Sequence, residues 1–261
     1  MTPDALLGEL AAALRALSVA ELATAGSYLA VVAVVAADLI SGRLSGRRVA
    51  DRAQLRVAVT LAAGAVAAGA VYGAVVIAAY TRLVGLVPWH GWMAAHPVVA
   101  FTVAFVAVDA ANWAHHWVSH RTRWGWFCHR PHHTGDTYDA SLALRQSWLP
   151  LPSMLILPAV AATGAPLAAF GVVAACVATY SAATHIGAEL HPPAWVTWLF
   201  VTPGTHRRHH SDGATNLGAV LTIWDRAAGT YRHAGASDAP VGVNDGRSLR
   251  GALAGTPGNA R

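Results

Sequence analysis

Long apolar runs separated by short polar loops occupy most of the chain. The runs Leu22–Ile40, Val57–Tyr80 and Pro97–Trp113 each approach or exceed the length that crosses a bilayer as a helix, and Val57–Tyr80 contains no charged residue. A fourth stretch, Trp148–Thr184, is interrupted at Gly164-Ala165-Pro166. This interruption predicts a helical hairpin of marginal spanning length or, alternatively, a re-entrant or buried hairpin. The pattern therefore predicts an all-α integral membrane protein with about four transmembrane helices.

The composition agrees with a lipid environment. Of the 261 residues, 55% are hydrophobic and only 12% are charged, whereas soluble domains carry about 25% charged residues. All 18 basic residues are arginine, and the abundance of Ala and Gly is typical of a GC-rich bacterial genome. The formal net charge of +5 does not indicate a nucleic-acid-binding protein, because the arginines lie in short loops between apolar runs. Two cysteines cannot cross-link a chain of this length, which excludes a disulfide scaffold.

The arginine distribution predicts the orientation. The loop Ser41–Arg56 contains five arginines, whereas Thr81–His96 contains one arginine and two tryptophans. The positive-inside rule places the first loop in the cytoplasm. The third helix then delivers Trp113–His133 to the cytoplasm, and a hairpin that makes a round trip returns His185–His233 to the same side. We expect a multi-pass protein of the bacterial cytoplasmic (inner) membrane with a cytoplasmic, histidine-rich cap.

Histidine is the unusual residue of this chain. Eleven of the 14 histidines fall in two windows, 115–133 and 185–210. Within these windows one pair has i, i+4 spacing on a helix face and two triplets read H-x-x-H-H: His116 and His120; His129, His132 and His133; and His206, His209 and His210. Such spacing offers two nitrogens to one metal and directs the adjacent imidazole toward another. With His185 the set provides nine imidazoles, which is enough for two metals.

The type of ligand only partly limits the choice of metal. Imidazole binds iron, zinc and copper alike. Ligation by nitrogen without cysteine argues against an iron–sulfur cluster or a structural zinc site. The spacing therefore predicts a di-metal cap of unspecified metal.

These motifs resemble those of the fatty acid hydroxylase/sterol desaturase superfamily of membrane di-iron enzymes. The resemblance covers Asp109–Thr134, His185 and Val201–Tyr231. It implies a non-haem di-iron centre that activates O2 with electrons from an external ferredoxin or flavoprotein reductase. On this resemblance the iron ligands are His116, His120, His129, His132, His133, His185, His206, His209 and His210. It also implies that Asp109, seven residues before His116, orients an imidazole, and that Asn216 and Trp224-Asp225-Arg226 have a structural or ligand-supporting role.

The sequence departs from the family pattern at several positions. Trp117 follows His116 where arginine is usual, Arg145–Trp148 lacks one customary histidine, and Gly187 replaces the usual asparagine. If the helix that ends the hairpin continues past His185, Glu189 lies one turn further on the same face and can bind iron or accept an imidazole N–H. The alternative, which we slightly favour, is an early helix end that leaves Glu189 solvated.

Other histidines lie outside the motifs. His191 is a further candidate ligand. His115 faces away from its neighbours and is expected to pack or to support a ligand, and His90 and His96 lie in the loop at the other side of the membrane.

The resemblance implies O2-dependent hydroxylation of a C–H bond in a lipid or lipid-like substrate. Desaturation within the same superfamily remains open, because the motifs do not separate the two reactions. A histidine-rich membrane metal transporter or chaperone is an alternative of a different class. It requires ionisable residues within several helices, and Val57–Tyr80 has none, which favours the enzyme.

The electrons require a separate protein, since the sequence contains no dinucleotide, flavin or haem motif. The loop Arg43–Arg56 can dock an acidic electron carrier, although membrane topology alone also explains its charge.

The domain organisation follows from these patterns. Residues 1–18 predict an amphipathic helix because leucines recur there at helical spacing, and acidic Asp4 and Glu9 argue against a cleavable signal peptide. Residues 19–233 form one membrane-embedded hydroxylase domain, with the histidine motifs in 109–134 and 185–231. Residues 234–261 are rich in Gly, Ala, Pro and Asp and are predicted to be disordered.

Overall fold

A computed structural model describes residues 18–146, 148, 151–234, 241–243 and 247–254, and the regular elements of these residues are helices. The amphipathic helix predicted at residues 1–18 lies outside this described part, apart from Ser18. In chain order the α-helices are α1 (Val19–Leu44), α2 (Arg52–Val84), α3 (His90–Ala95), α4 (Pro97–Arg121), α5 (Arg123–His129), α6 (Leu151–Ala161), α7 (Leu167–Thr184), α8 (Ala194–Leu199), α9 (Pro203–Asp212), α10 (Ile223–Ala228) and α11 (Leu249–Ala254). Two 3₁₀ segments, Arg130–His133 and Ala140–Leu144, follow α5.

Four of these helices, α1, α2, α4 and α7, are long and apolar enough to cross a membrane. The predicted all-α fold with about four spans is therefore confirmed. Three of these helices begin at residues that favour a helix start. Ser18 and Glu21 form a capping box for α1, the Asp51 side chain accepts from Gln54 N at 3.0 Å at the start of α2, and Pro97 is the first residue of α4.

Helix α4 extends well past the predicted apolar run. Its 25 residues are about 38 Å long, which exceeds the roughly 30 Å hydrocarbon core of a bilayer. The last two turns therefore project from one end of the bundle and carry His116 and His120 with them.

The hairpin formed by α6 and α7 has legs of unequal length. The 11 residues of α6 are about 16 Å long, which is too short to cross a bilayer. The chain before α6 already lies within the bundle, since Trp148 Nε1 donates to the Leu61 carbonyl at 3.0 Å, about 14 Å along α2 from Arg52. At the far end, Trp89 Nε1 donates to the Thr163 carbonyl at the hairpin tip at 3.0 Å. The hairpin thus makes the predicted round trip and returns His185 to the end of the bundle at which α4 finishes.

Helix packing explains how the bundle is held together. Helix α1 packs along α7, and α4 packs against α6 and α7. A continuous cluster of buried side chains from α2, α4, α6, α7 and the loop before α10 fills the centre, and includes Tyr80, Val108, Val160, Val173 and Leu221. Burial of such side chains stabilises the bundle mainly through close packing, because lipid is as apolar as the side chains themselves.

A buried carboxylate joins three loops at the arginine-rich end. Asp38 in α1 accepts from Arg47 Nη2 at 2.6 Å, from Ala140 N at 2.9 Å and from Gly187 N at 3.2 Å. All three donors lie at the end that carries the histidines, so this residue fixes the position of the loop that follows His185.

Part of the predicted disordered tail is ordered. Within residues 234–261, α11 packs on α2, with Ala252 completely buried and Leu249 and Leu253 partly buried beside it. The i, i+3, i+4 spacing of these three residues forms an apolar stripe, which average composition does not reveal. Residues Leu249–Ala254 thus form a packed helix within the segment for which composition predicts disorder.

Candidate metal centre

Nine histidines from four parts of the fold meet at one end of the bundle. His116 and His120 lie in the last turns of α4, and His129, His132 and His133 lie at the junction of α5 with the following 3₁₀ segment. His185 lies at the C-terminal end of α7, and His206, His209 and His210 lie on the inner face of α9. Helix α9 begins at a capping box between Thr202 and Thr205, with Pro203 in the first turn, and ends at Gly213 in the left-handed region. This short helix presents its three histidines to one side.

The imidazoles form two groups in which the candidate ligand atoms lie within 4.8 Å of one another. Site A consists of His116, His120, His129, His133 and His209. Site B consists of His132, His185, His206 and His210. Adjacent residues of the first H-x-x-H-H motif thus belong to different sites, as do adjacent residues of the second.

The Nε2 atoms converge at the centre of each site. In site B, Nε2 of His185 lies 3.1, 2.9 and 3.2 Å from Nε2 of His132, His206 and His210. In site A, Nε2 of His133 lies 3.1 Å from Nε2 of both His129 and His209.

Site A also contains two buried nitrogens that have no hydrogen-bond partner among the described residues, Nε2 of His116 and Nε2 of His120. Converging neutral nitrogens repel each other through their lone pairs unless a proton or a cation lies between them. The donor set therefore fits a metal ion in each site.

Backbone carbonyls fix the orientation of three rings. Nδ1 of His116 donates to the Leu217 carbonyl at 2.8 Å. Nδ1 of His209 donates to the Thr215 carbonyl at 2.9 Å, and Nδ1 of His185 donates to the Ser181 carbonyl at 2.6 Å. Because a carbonyl oxygen only accepts, Nδ1 carries the proton and Nε2 keeps its lone pair. This is the tautomer that metal binding requires.

Burial keeps these imidazoles neutral. Removal from water disfavours the charged form and lowers the pKa of His185 to about 4. The same cause, reinforced by the neighbouring rings, lowers the pKa of six further histidines of the two groups well below 6.5: His129, His132, His133, His206, His209 and His210. Neutral imidazole is the form that binds a metal, so the site is poised for binding at neutral pH.

Asp109 has a different place from the predicted one. Its buried carboxylate accepts from Val220 N at 2.9 Å, Leu221 N at 3.2 Å and Trp224 Nε1 at 2.8 Å. These donors are two backbone amides and an indole, so Asp109 anchors the loop before α10 rather than an imidazole. Helical spacing places Asp109 on the same face of α4 as His116, but the hydrogen bonds of its carboxylate are made with the loop before α10.

The closing motif supports the ligands from the backbone side. Asp225 accepts from Leu217 N at 2.9 Å and Gly218 N at 2.7 Å, which fixes the peptide whose carbonyl accepts from His116. Asn216 has a positive φ of 54° and donates to the Thr205 carbonyl at 3.0 Å. Both residues thus hold the backbone next to the histidines of α4 and α9.

Glu189 and His191 lie apart from both sites. Helix α7 ends at Thr184, and both side chains are exposed on the wall of a cavity of about 1040 Å³. The structure thus has the early helix end that the sequence analysis gave as the alternative. Ser147, in the segment that lacks the customary histidine, lies outside the described residues.

The other histidines also lie outside the two sites. His115 hydrogen-bonds Ser119 Oγ at 3.0 Å, and His90 donates to the Gly164 carbonyl at the opposite end of the bundle. His96 is exposed.

Tyr138 is a site residue that sequence reasoning missed. Its ring centroid lies 6.1 Å from that of His185 and 5.5 Å from that of His210, and its hydroxyl donates to the Thr184 carbonyl at 2.8 Å. Burial raises the pKa of Tyr138 well above 10, so the phenol remains neutral. A single tyrosine five residues after a histidine motif carries no sequence signal, since only the folded chain places it between the ligands and the cavity.

Comparison with known proteins agrees with this geometry. The sequence pattern of the family described as fatty acid hydroxylase matches residues 101–230. Alkylglycerol monooxygenase of Xenopus tropicalis is 26% identical over 161 residues, which cover 55% of this chain and 31% of that protein. The human alkylglycerol monooxygenase is 30% identical over 49% of the chain and 29% of its own length.

A bacterial relative matches a shorter region. The ornithine lipid hydroxylase of Rhizobium tropici is 34% identical over 96 residues, which cover 35% of the chain and 28% of that protein. The chain thus spans about three tenths of the length of these relatives. No solved structure matches the chain. The matched region contains most of α4, all of α9 and all nine converging histidines, and on this evidence the chain belongs to the fatty acid hydroxylase superfamily.

Proposed function

We propose that the protein is an O2-dependent di-iron oxygenase that hydroxylates a C–H bond of a lipid. The observation that carries this proposal is the division of nine converging histidines, seven of them buried, into two adjacent groups in a chain of the fatty acid hydroxylase superfamily. Site A supplies five imidazoles and site B supplies four, which satisfies two metals with nitrogen ligands alone. Imidazole binds iron, zinc and copper alike, so the choice of iron rests on membership of the family.

Bound iron would supply the redox chemistry that activates O2 for attack on a C–H bond. One oxygen atom enters the C–H bond to give the alcohol, and the other leaves as water after it receives two electrons and two protons. The chain's own residues hold the ligand nitrogens in position, keep them neutral and exclude water. The carbonyls of Leu217, Thr215 and Ser181 orient three of the rings, and burial of seven of the nine histidines limits access of bulk solvent.

A lipid substrate is supported by the location of the centre. Each of the four apolar helices has one end next to the histidines, so the centre lies beside the membrane in which a lipid substrate dissolves. The names of two relatives refer to an alkylglycerol and to an ornithine lipid. We therefore propose a membrane lipid with a polar headgroup as the substrate class.

The electrons are proposed to come from an external ferredoxin or flavoprotein reductase in the cytoplasm. The arginines between α1 and α2 lie at the same end as the histidines: Arg47 binds Asp38, and Arg48 pairs with Asp136 at 3.0 Å. The positive-inside rule then places both in the cytoplasm, where such reductases occur.

Metal content and lipid products test the proposal together. Purified protein is expected to contain about two irons per chain, and His132→Ala and His209→Ala are expected to reduce this content because each removes an imidazole from one site. His96→Ala, an exposed histidine at the opposite end, is the matched control and should retain the wild-type content. Lipid extracts of cells that express the wild type should contain a hydroxylated lipid labelled from isotopic O2, and those of the His132 and His209 variants should not. Equal metal loss in all three variants, or a product that takes its oxygen from water, would refute the proposal.

A further inference from the structure

The tail of the chain passes directly over the histidine-bearing backbone. Gly242 N donates to the His210 carbonyl at 3.0 Å, and Val243 N donates to the His133 carbonyl at 2.8 Å. Thr134 and Val243 also pair as a parallel β-bridge. Since His133 belongs to site A and His210 to site B, two consecutive residues of the tail contact one ligand residue of each site.

These two carbonyls lie where the helices cannot satisfy them. His210 is two residues from the end of α9, and His133 is the last residue of a 3₁₀ segment. The final carbonyls of a helix have no partner within the helix, and buried carbonyls require one. The tail supplies these partners and at the same time restricts the peptide planes next to the two imidazoles.

The contact requires glycine at position 242. Its φ is +77°, in the left-handed region that side chains disfavour. A Cβ atom there would also collide with the carbonyl oxygens of Gly135 and His133, and with the latter at 2.8 Å. Any other residue would force the tail away from the metal-binding segment.

A second attachment holds the tail in place further along the chain. Arg130, between His129 and Pro131, donates from Nη1 to the Gly251 carbonyl at 2.6 Å and to the Ala252 carbonyl at 3.1 Å, near the C-terminal end of α11. A guanidinium at this end of a helix satisfies carbonyls that the helix leaves unpaired and complements its dipole. Ala252 is completely buried against α2. The tail is thus attached at two places: to the backbone of His133 and His210, and through α11 to α2.

We propose that residues 241–243 and α11 together act as a clamp that holds sites A and B in fixed positions, with Gly242 as its positioning residue. The clamp rests on the proposed di-metal centre and adds to it a segment beyond the residues that the family pattern matches. Loss of the clamp should weaken metal binding at both sites, because it contacts one ligand residue in each. Removal of an outer contact of a metal ligand typically costs 10–100-fold in affinity.

Gly242→Ala and Gly46→Ala form a matched pair. Gly46 has a φ of +73°, and no neighbouring atom lies within 4 Å of the position that a Cβ would occupy, so alanine there incurs the same backbone strain without the collision. Binding of Co²⁺ to purified full-length protein in detergent, measured by competition with a chelator, gives the affinity without dependence on turnover. We expect roughly 10–100-fold weaker binding at both sites for Gly242→Ala and a wild-type value for Gly46→Ala.

Ala252→Asp provides a second variant in case Gly242→Ala does not fold. It places a charge in the contact between α11 and α2 and leaves residues 241–243 unchanged. We expect the same loss at both sites, together with faster proteolysis within α11.

The outcomes separate the clamp from the proposed function. Wild-type affinity in both Gly242→Ala and Ala252→Asp, or a lower melting temperature of the metal-free protein with unchanged Co²⁺ affinity, would refute the clamp alone. If the wild type binds no Co²⁺ at either site, the di-metal centre is refuted and the clamp with it.

Discussion

The most informative single change outside the ligands is Asp225→Asn, because it tests how one imidazole is held in site A. The Asp225 carboxylate accepts four hydrogen bonds, from Leu217 N at 2.9 Å, Gly218 N at 2.7 Å, Thr230 Oγ1 at 2.6 Å and Trp113 Nε1 at 3.2 Å. All four partners donate. Asparagine keeps the shape of the side chain but turns one of its two acceptors into a donor.

The magnitude follows from the donors that lose their acceptor. If the amide nitrogen replaces Oδ2, the buried Gly218 N–H meets another donor, and an unpaired buried group costs about 1–3 kcal/mol. The amide N–H itself is also left without an acceptor, so the total loss of stability should be roughly 2–6 kcal/mol. If the nitrogen replaces Oδ1 instead, Leu217 N, Thr230 Oγ1 and Trp113 Nε1 lose their acceptor, so this orientation is the less favourable one.

The effect should reach one metal site and spare the other. The Leu217 carbonyl accepts from His116 in site A, whereas the site B rings are held by other elements. We expect site A to lose 10–100-fold in affinity and site B to keep its wild-type value. A chelator concentration between the two affinities should then leave about one metal per chain in Asp225→Asn and two in the wild type.

Asp51→Asn is the matched control for the lost charge. Asp51 caps α2 at the protein surface, and asparagine caps helices about as well as aspartate. This variant should bind two metals with wild-type affinity. Retention of both metals in Asp225→Asn, or equal loss from both sites, would show that the Leu217 carbonyl does not position His116.

Three further predictions test the orientation and the loop after His185. With native cysteines replaced, a cysteine label next to Trp89 should react from outside the cell, and Ser211→Cys should react only after permeabilisation; the opposite pattern would refute the cytoplasmic cap. Gly187→Asn, which restores the usual family residue, should destabilise the protein by about 1–3 kcal/mol, because its Cβ would collide with the Tyr138 carbonyl; a thermal melt in detergent measures this, and an unchanged melting temperature would contradict it. Glu189→Gln and Glu189→Ala should both keep wild-type iron content and turnover, since this side chain is exposed and outside both sites; iron loss in the alanine variant would place it among the ligands.

Local sequence determined the helices and the set of candidate ligands. A long apolar run has only one way to satisfy its backbone in lipid, so Val57–Tyr80 had to lie within a helix whatever the rest of the chain does. The H-x-x-H-H spacing likewise places imidazoles within one turn of each other, and the structure brings together all nine histidines that the motifs indicated. These properties depend on contacts over a few residues, which the sequence displays directly.

Tertiary structure decided how those ligands are divided and what supports them. His132 and His133 are adjacent in the chain yet join different sites, because consecutive side chains of a 3₁₀ segment diverge by about 120° and here reach separate groups of histidines. Asp109 was expected to orient an imidazole, but it anchors the loop at Val220 and Leu221, more than a hundred residues away. The tail was expected to be disordered, but Gly242 and Val243 cross the ligand segments. The last two outcomes depend on which distant backbone amide reaches a buried acceptor, and neither helical period nor composition contains that information.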